Sequence, residues 1–193
     1  IALAVAITVK SGIITSSPGP IPIASIAKCK PVVPLLTVIA FFTLQNFANW
    51  FSNFFGIGQP NYRLIPKVFL NIFSKKKFYL EGKGQSQRNF IESYDFANGI
   101  YLSLKKGKLK NRYHFSSSKF YSIKKMVQII CALKSINFKK FVKHAADRKG
   151  KDQTYILDCK KTIKALGWKP QVNLIDSLKE IEIFYRKNFK KLK

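Results

Sequence analysis

From Asn61 onward, apolar residues recur at helical spacing in four separate blocks, and that rhythm restricts the possible folds more than any other feature of the chain. Ile65, Val68, Phe69 and Ile72 form the first block, in which Pro66 is tolerable only within a first turn. Lys75 to Lys77 read as its basic last turn. Ser93 to Lys106 make the second block, with Ala97, Ile100, Tyr101 and Leu104 on one face and Gly107 as its stop. Ser122 stands as N-cap to the third, whose inner stripe is Ile123, Met126, Val127, Ile130 and Cys131. Leu174, Leu178, Ile181 and Tyr185 repeat at four, three and four in the last, which is expected to fray into a lysine-rich tail. Between the blocks, Phe78 to Leu80 and Arg112 to Phe115 read as short strands, and Gly82-Lys83-Gly84 as a turn. Helices interleaved with short strands predict an α/β lobe.

The stretch from Asp147 to Pro170 divides into a loop and a short helix. Asp158 can accept a first-turn N–H, Ile163 and Leu166 supply an apolar edge, Gly167 suits a left-handed C′ position and Pro170 blocks continuation. In the preceding loop, Arg148 and Lys151 can converge on an anion, a guanidinium giving two parallel hydrogen bonds and an ammonium a point charge. A solvated basic loop is the alternative reading of the same residues.

Residues 1–52 differ in kind from the rest. They contain no Asp, Glu or Tyr, whereas all nine acidic residues lie from Glu81 onward. The apolar run Val32 to Leu44 is broken by Pro34 and falls short of the roughly 20 residues that a membrane-spanning helix needs, so a membrane anchor is the minority reading. Net charge is +26, which favours polyanionic partners, yet only five of the 35 basic residues are arginine. A basic nucleic-acid-binding module is therefore a competing reading, with no helix-turn-helix, zinc-finger or aromatic RNA-binding motif to specify it. Cys29, Cys131 and Cys159 have neither disulfide-framework nor zinc spacing, which fits a reducing cytoplasm, and His114 and His144 lack sequence neighbours for a metal or catalytic site.

Several segments, in order, resemble the nucleotide-sugar branch of the extended short-chain dehydrogenases, the NAD-dependent epimerase/dehydratase family, and in particular its 4,6-dehydratases. Asp147-Arg148-Lys149-Gly150-Lys151-Asp152 is similar to the family's Asp-Arg-Pro-Gly-His-Asp loop, with Lys149 for Pro and Lys151 for His. Tyr155, Leu157-Asp158, Lys161 and Leu166-Gly167-Trp168-Lys169-Pro170 continue the match. Gly82 to Phe90 with Asp95 resembles the segment carrying the family's diphosphate-binding arginine, here Arg88, although Asn89 replaces the usual Asp. Asn53 to Pro60 resembles its Asn-x-Tyr-Gly loop, and Arg63 precedes Leu64-Ile65-Pro66 as a basic residue does in the family.

The resemblance implies an α/β fold, namely the C-terminal substrate-binding lobe of an extended short-chain dehydrogenase with an incomplete Rossmann domain. It implies a nucleotide-sugar-binding lobe at 53–193, and the compositionally atypical apolar segment 1–52 is then expected to be a frameshifted or degenerate remnant of the Rossmann part. The implied ligands of the substrate are Asn53, Arg63, Leu64, Arg88, Asp147, Arg148 and Lys151. NAD is the implied cofactor of the complete enzymes, and a homodimer their implied assembly. The Gly-rich dinucleotide turn and the Tyr-x-x-x-Lys pair are both absent, with Ala24 and Lys28 near the pair's place. This chain alone is therefore expected to bind no NAD, and no catalytic residue is assigned.

Overall fold

The computed structural model describes residues 48–108, 110–147, 150 and 152–192. The expectations for residues 1–47, and those for Arg148 and Lys151, lie outside the described residues. Among the described residues eight strands and six helices follow one another: β1 Ala48–Phe51, β2 Asn53–Phe55, α1 Leu64–Phe73, β3 Phe78–Glu81, β4 Gln87–Glu92, α2 Ser93–Lys106 and β5 Arg112–Phe115. Then come β6 Phe120–Ser122, α3 Ile123–Leu133, α4 Phe138–Phe141, β7 Val142–Ala145, β8 Thr154–Tyr155, α5 Lys160–Leu166 and α6 Leu174–Leu192. The mixed α/β class read from the sequence is the class observed.

Strand β4 is the hinge of the architecture because it pairs on both edges. Its second half runs parallel to β2, in the register Asn53 to Phe90 and Phe55 to Glu92. Its first half pairs antiparallel with β6 and parallel with β8, which sets Arg88 opposite both Tyr121 and Tyr155. Two further parallel pairs complete the sheets, β1 with β5 and β3 with β7. Ala48 to Phe51 is thus hydrogen-bonded into the lobe, so the folded part reaches back across the composition break at residue 52.

Successive side chains of a strand point to opposite faces, and β4 uses this to separate two apolar clusters. Phe90 enters the larger one, with Ile65, Val68 and Phe69 of α1, Met126, Val127 and Ile130 of α3, and Leu178, Ile181 and Tyr185 of α6. Ile91 enters the smaller one, with Phe96 and Ile100 of α2, Tyr113 and Phe115 of β5, and Leu166 and Trp168. The stripes expected for α1, α3 and α6 are the faces that this packing buries, with Ile72, Ile123 and Leu174 only partly covered.

Four local expectations need correcting. The buried face of α2 is Phe96, Gly99, Ile100 and Ser103, while Ala97 is exposed and Leu104 is 42% exposed. Its cause is close packing: a Cβ on Gly99 would lie 2.5 Å from the Phe115 ring and 3.1 Å from Trp168 Nε1, so the inner surface needs a residue without a side chain. Ser103 is hidden at no polar cost, because its hydroxyl donates to the Gly99 carbonyl at 3.0 Å. In α5, Leu166 is buried but Ile163 is 42% exposed, so the apolar edge is narrower than its sequence suggests. Lys75 to Lys77 fall beyond α1, not in its last turn: Lys75 takes a left-handed φ of 54°, and the N–H groups of Lys75 and Lys76 return to the carbonyls of Ile72 and Asn71. Finally, α6 continues through Lys190 and Lys191 to Leu192 where fraying was expected.

Other helix ends follow their sequence signals. Ser122 Oγ accepts from Lys125 N at 3.0 Å and Gly167 ends α5 at φ 67°, whereas the N-cap of α5 is Cys159 and Asp158, one residue earlier, accepts from Lys160 N at 2.9 Å. Among the described residues no helix is long and apolar enough to cross a membrane.

Candidate functional site

Arg88 lies half-buried on β4 and is held by two main-chain acceptors, one on β4 itself and one in the loop just before β8. Its Nη1 donates to the Gln87 carbonyl and its Nη2 to the Asp152 carbonyl, both at 2.7 Å. The backbone reinforces the link, since Gln87 N donates to Gln153 O at 2.8 Å and β8 follows immediately in parallel register. Arg88 and the end of the Asp147–Asp152 loop are therefore adjacent, although they lie 64 residues apart in sequence.

The start of that loop is anchored to the Gly82–Gly84 turn. The β3–β7 pairing sets Glu81 opposite Ala145, and Gly82 N donates to Ala145 O at 2.9 Å. His144 Nδ1 lies 2.9 Å from the Gly82 carbonyl oxygen. Gly82 has φ 58°, and a Cβ there would fall 2.7 Å from the Asp147 carboxylate. Backbone conformation and space both demand glycine. The expected glycine turn thus forms the seat on which exposed Asp147 rests.

Asn53 sits on β2, where a loop was expected; pairing with β4 captures its backbone. Its side-chain Nδ2 is buried and has no hydrogen-bond partner among the described residues. A buried amide donor left unpaired costs about 1–3 kcal/mol, which a ligand acceptor can recover. Ser52 Oγ and Ser86 Oγ are in the same condition. Gln59 Nε2 closes the following turn onto the Phe54 carbonyl at 2.7 Å, and Tyr185 Oη donates to the Gln59 carbonyl at 2.6 Å. Burial pushes the Tyr185 phenol up to about 12, so it remains a donor.

The other two expected ligands stand apart. Arg63 is the exposed residue before α1, its guanidinium carbon 5.6 Å from the Tyr62 ring centroid. Leu64 opens α1 and packs half-buried against the larger core. Asn53 and Arg88 are brought onto one sheet, and Arg88 bonds the far end of the loop that Asp147 begins; Arg63 and Leu64 sit at the start of α1.

Two residues of this region were not singled out as site residues by the sequence. Asn89, 1% exposed, donates from Nδ2 to the carbonyls of Ser117 and Lys119 at 2.9 and 3.2 Å and accepts from Leu157 N at 3.2 Å. A carboxylate can accept from Leu157 but cannot donate to the two carbonyls. The departure from Asp at this position is thus matched by the surrounding backbone. Glu92 caps α2: its carboxylate accepts from Tyr94 N and from the Ser93 hydroxyl, the latter at 2.8 Å. Burial raises its carboxyl above the usual range, against the lowering effect of those hydrogen bonds. The only local signal was a Glu-Ser pair before an apolar-periodic run.

Among the described residues no group of three His, Cys, Asp or Glu could hold a metal ion. The described residues also do not fit the pyrophosphate of a dinucleotide. Gly82 to Gly84 leads into a strand, and at the two junctions where a strand leads directly into a helix, β4–α2 and β6–α3, the helix N-termini are already capped by Glu92 and Ser122.

Comparison with known proteins gives concordant results. The model of the GDP-mannose 4,6 dehydratase family matches residues 46–181. The chain is 30% identical over 145 residues to dTDP-glucose 4,6-dehydratase 1 of Escherichia coli (strain K12), covering 72% of this chain and 40% of that protein. It is 29% identical over 143 residues to dTDP-D-glucose 4,6-dehydratase of Homo sapiens, covering 72% and 41%. Among solved structures it is similar to the dTDP-glucose 4,6-dehydratase DesIV from Streptomyces venezuelae, with TM-score 0.73 and 27% identity, covering 82% of this chain and 51% of that one. The chain thus spans about 40% of the length of the curated relatives it matches.

Proposed function

The chain belongs to the GDP-mannose 4,6 dehydratase family, and we propose that residues 53–193 are the nucleotide-sugar-binding lobe of an NAD-dependent 4,6-dehydratase-like enzyme. The substrate's diphosphate would lie between Arg88 and the Asp147–Lys151 loop, with Asn53 donating its unpaired amide and Arg63 and Leu64 at the approach. The single observation that supports this most is the Arg88 to Asp152 hydrogen bond beside the β4–β8 pairing. It holds together the two segments that resemble the family's diphosphate-binding motifs. NAD, in the DesIV structure a bound component, supplies the redox chemistry of the complete enzymes. Since the described residues offer it no cradle, the proposal assigns this lobe substrate binding alone.

Calorimetric titration with a nucleoside-diphosphate sugar tests the reading. It predicts saturable one-to-one binding that survives about 150 mM salt, where charges beyond roughly 8 Å are screened. Binding that vanishes with salt and is matched by any polyanion would contradict it and favour the nucleic-acid alternative.

A further inference from the structure

A second basic site, sharing no residue with the one above, lies where the end of α1 meets α4. Lys75, Lys76, Lys77 and Lys140 line a cleft of about 310 Å³. The left-handed turn at Lys75 presents three consecutive lysines to one concavity, and the fold brings up the fourth from 63 residues away. The two banks are tied together: Lys77 Nζ donates to the Lys140 carbonyl at 2.6 Å, and Asn71 Nδ2 to the Lys77 carbonyl at 3.1 Å. Asn137, also in the lining, spends its Oδ1 on Lys140 N at 3.1 Å, which leaves its Nδ2 as a further donor.

No carboxylate lines this cleft, and among the described residues none of the four lysines takes part in an ion pair. The four lysines are exposed around a concavity that Ile72, Ile136 and Phe141 also line, and a multivalent anion bridging their ammonium groups is the simplest ligand to relieve the repulsion among them. Size restricts the anion further. The cleft is at the bottom of the range of about 300–1,000 Å³ for ligand pockets, which suits a compact group over an extended polymer. Ammonium groups act as mobile point charges toward phosphate and do not need a planar fork. We propose that this cleft binds a compact, multiply charged phosphate, as an inorganic oligophosphate or as the phosphate tail of a nucleotide. The proposal does not depend on the function assigned to the Arg88 site.

The test titrates the full chain with inorganic tripolyphosphate and, separately, with ATP at about 150 mM salt. Three proteins are compared: wild type, Lys75→Gln/Lys76→Gln/Lys140→Gln, and a charge-matched Lys105→Gln/Lys106→Gln/Lys108→Gln. All six positions are exposed, so folding is expected to be retained, and far-UV circular dichroism checks it. The cleft variant should lose about ten- to a hundred-fold in affinity, the range for losing charge-assisted bonds, while the charge-matched variant stays within about two-fold of wild type. Equal affinity for both ligands identifies the phosphates as the whole ligand; tighter ATP binding adds a nucleoside packed on the apolar part of the lining. Equal losses in the two triple variants would show that net charge alone is responsible and overturn the proposal. So would the absence of binding by both probes, or binding of single-stranded polynucleotide only.

Discussion

Trp168 Nε1 donates to the main-chain carbonyl of Asp95 at 2.9 Å, deep between α2 and the segment that follows α5. The Asp95 carboxylate, 2% exposed, answers by accepting from Gln171 N at 3.0 Å and Val172 N at 2.9 Å. The Leu-Gly-Trp-x-Pro sequence thus serves as a clasp on α2. Trp168→Phe keeps most of the ring packing but removes one donor from a carbonyl that also lies inside α2's own hydrogen-bonded run, and should cost about 0.5–1.5 kcal/mol. Asp95→Ala removes the acceptor of two main-chain N–H groups and should cost more. Urea unfolding measures both; a smaller loss for Asp95→Ala than for Trp168→Phe would refute the clasp.

Asn89→Asp restores the residue usual in the family, yet it is expected to destabilise this protein. Ser117 and Lys119 would present two carbonyls to a buried carboxylate with nothing to donate. The loss should be about 1–3 kcal/mol near neutral pH. Its sign with pH follows from burial among acceptors, which raises the new carboxyl's folded pKa. The penalty therefore shrinks as the solution is acidified and the protonated form, with one donor, takes over. Unfolding curves at neutral and acid pH check this, and a penalty that grows on acidification would contradict it.

Gly99→Ala places a methyl group 2.5 Å from the Phe115 ring, whose edge-on contact with Trp168 has its centroids 5.0 Å apart. Alanine gains helix propensity of up to about 1 kcal/mol, but overpacking costs about 1–3 kcal/mol and should win. A raised melting temperature would show that the clasp yields more easily than its geometry suggests.

Glu92 gives a pH signature of its own. Its folded carboxyl titrates above the ordinary value, chiefly through burial, so its contribution to stability is fully present below the unfolded pKa and is lost as pH rises through the folded one. Glu92→Gln is neutral throughout and keeps an oxygen for Tyr94 N. Relative to wild type, the variant should therefore gain stability between about pH 4 and pH 7. A relative gain by wild type over that interval would reverse the assignment.

Much of the local structure was legible because its causes are local. The span Ser93 to Lys106, the strand Arg112 to Phe115, the Ser122 cap and the Gly167 stop each follow from neighbouring residues. The inner face of α2 was not, because a glycine and a serine are hidden there by the bulk of Phe115 and Trp168, which arrive from other elements. The candidate site divides the same way. Arg88 and Asp147 could be picked out by type and order. That β8 would lie beside β4, and the Gly82 turn under Asp147, depends on pairings between segments more than 60 residues apart that no local pattern encodes.

The central claim, that Arg88 and the 147–151 loop hold one diphosphate, is tested most directly by titrating a nucleoside-diphosphate sugar into wild type, Arg88→Ala, Arg88→Lys, Arg148→Ala and Lys105→Ala. Loss of a charge-assisted hydrogen bond is worth about 1.5–3 kcal/mol, so each alanine variant at the site should weaken binding roughly ten- to a hundred-fold. Arg88→Lys should recover only part of this, since an ammonium lacks the guanidinium's fork, and Lys105→Ala should bind as wild type does. Equal affinity across all five proteins, or no binding by any while the lobe remains folded, would contradict the account.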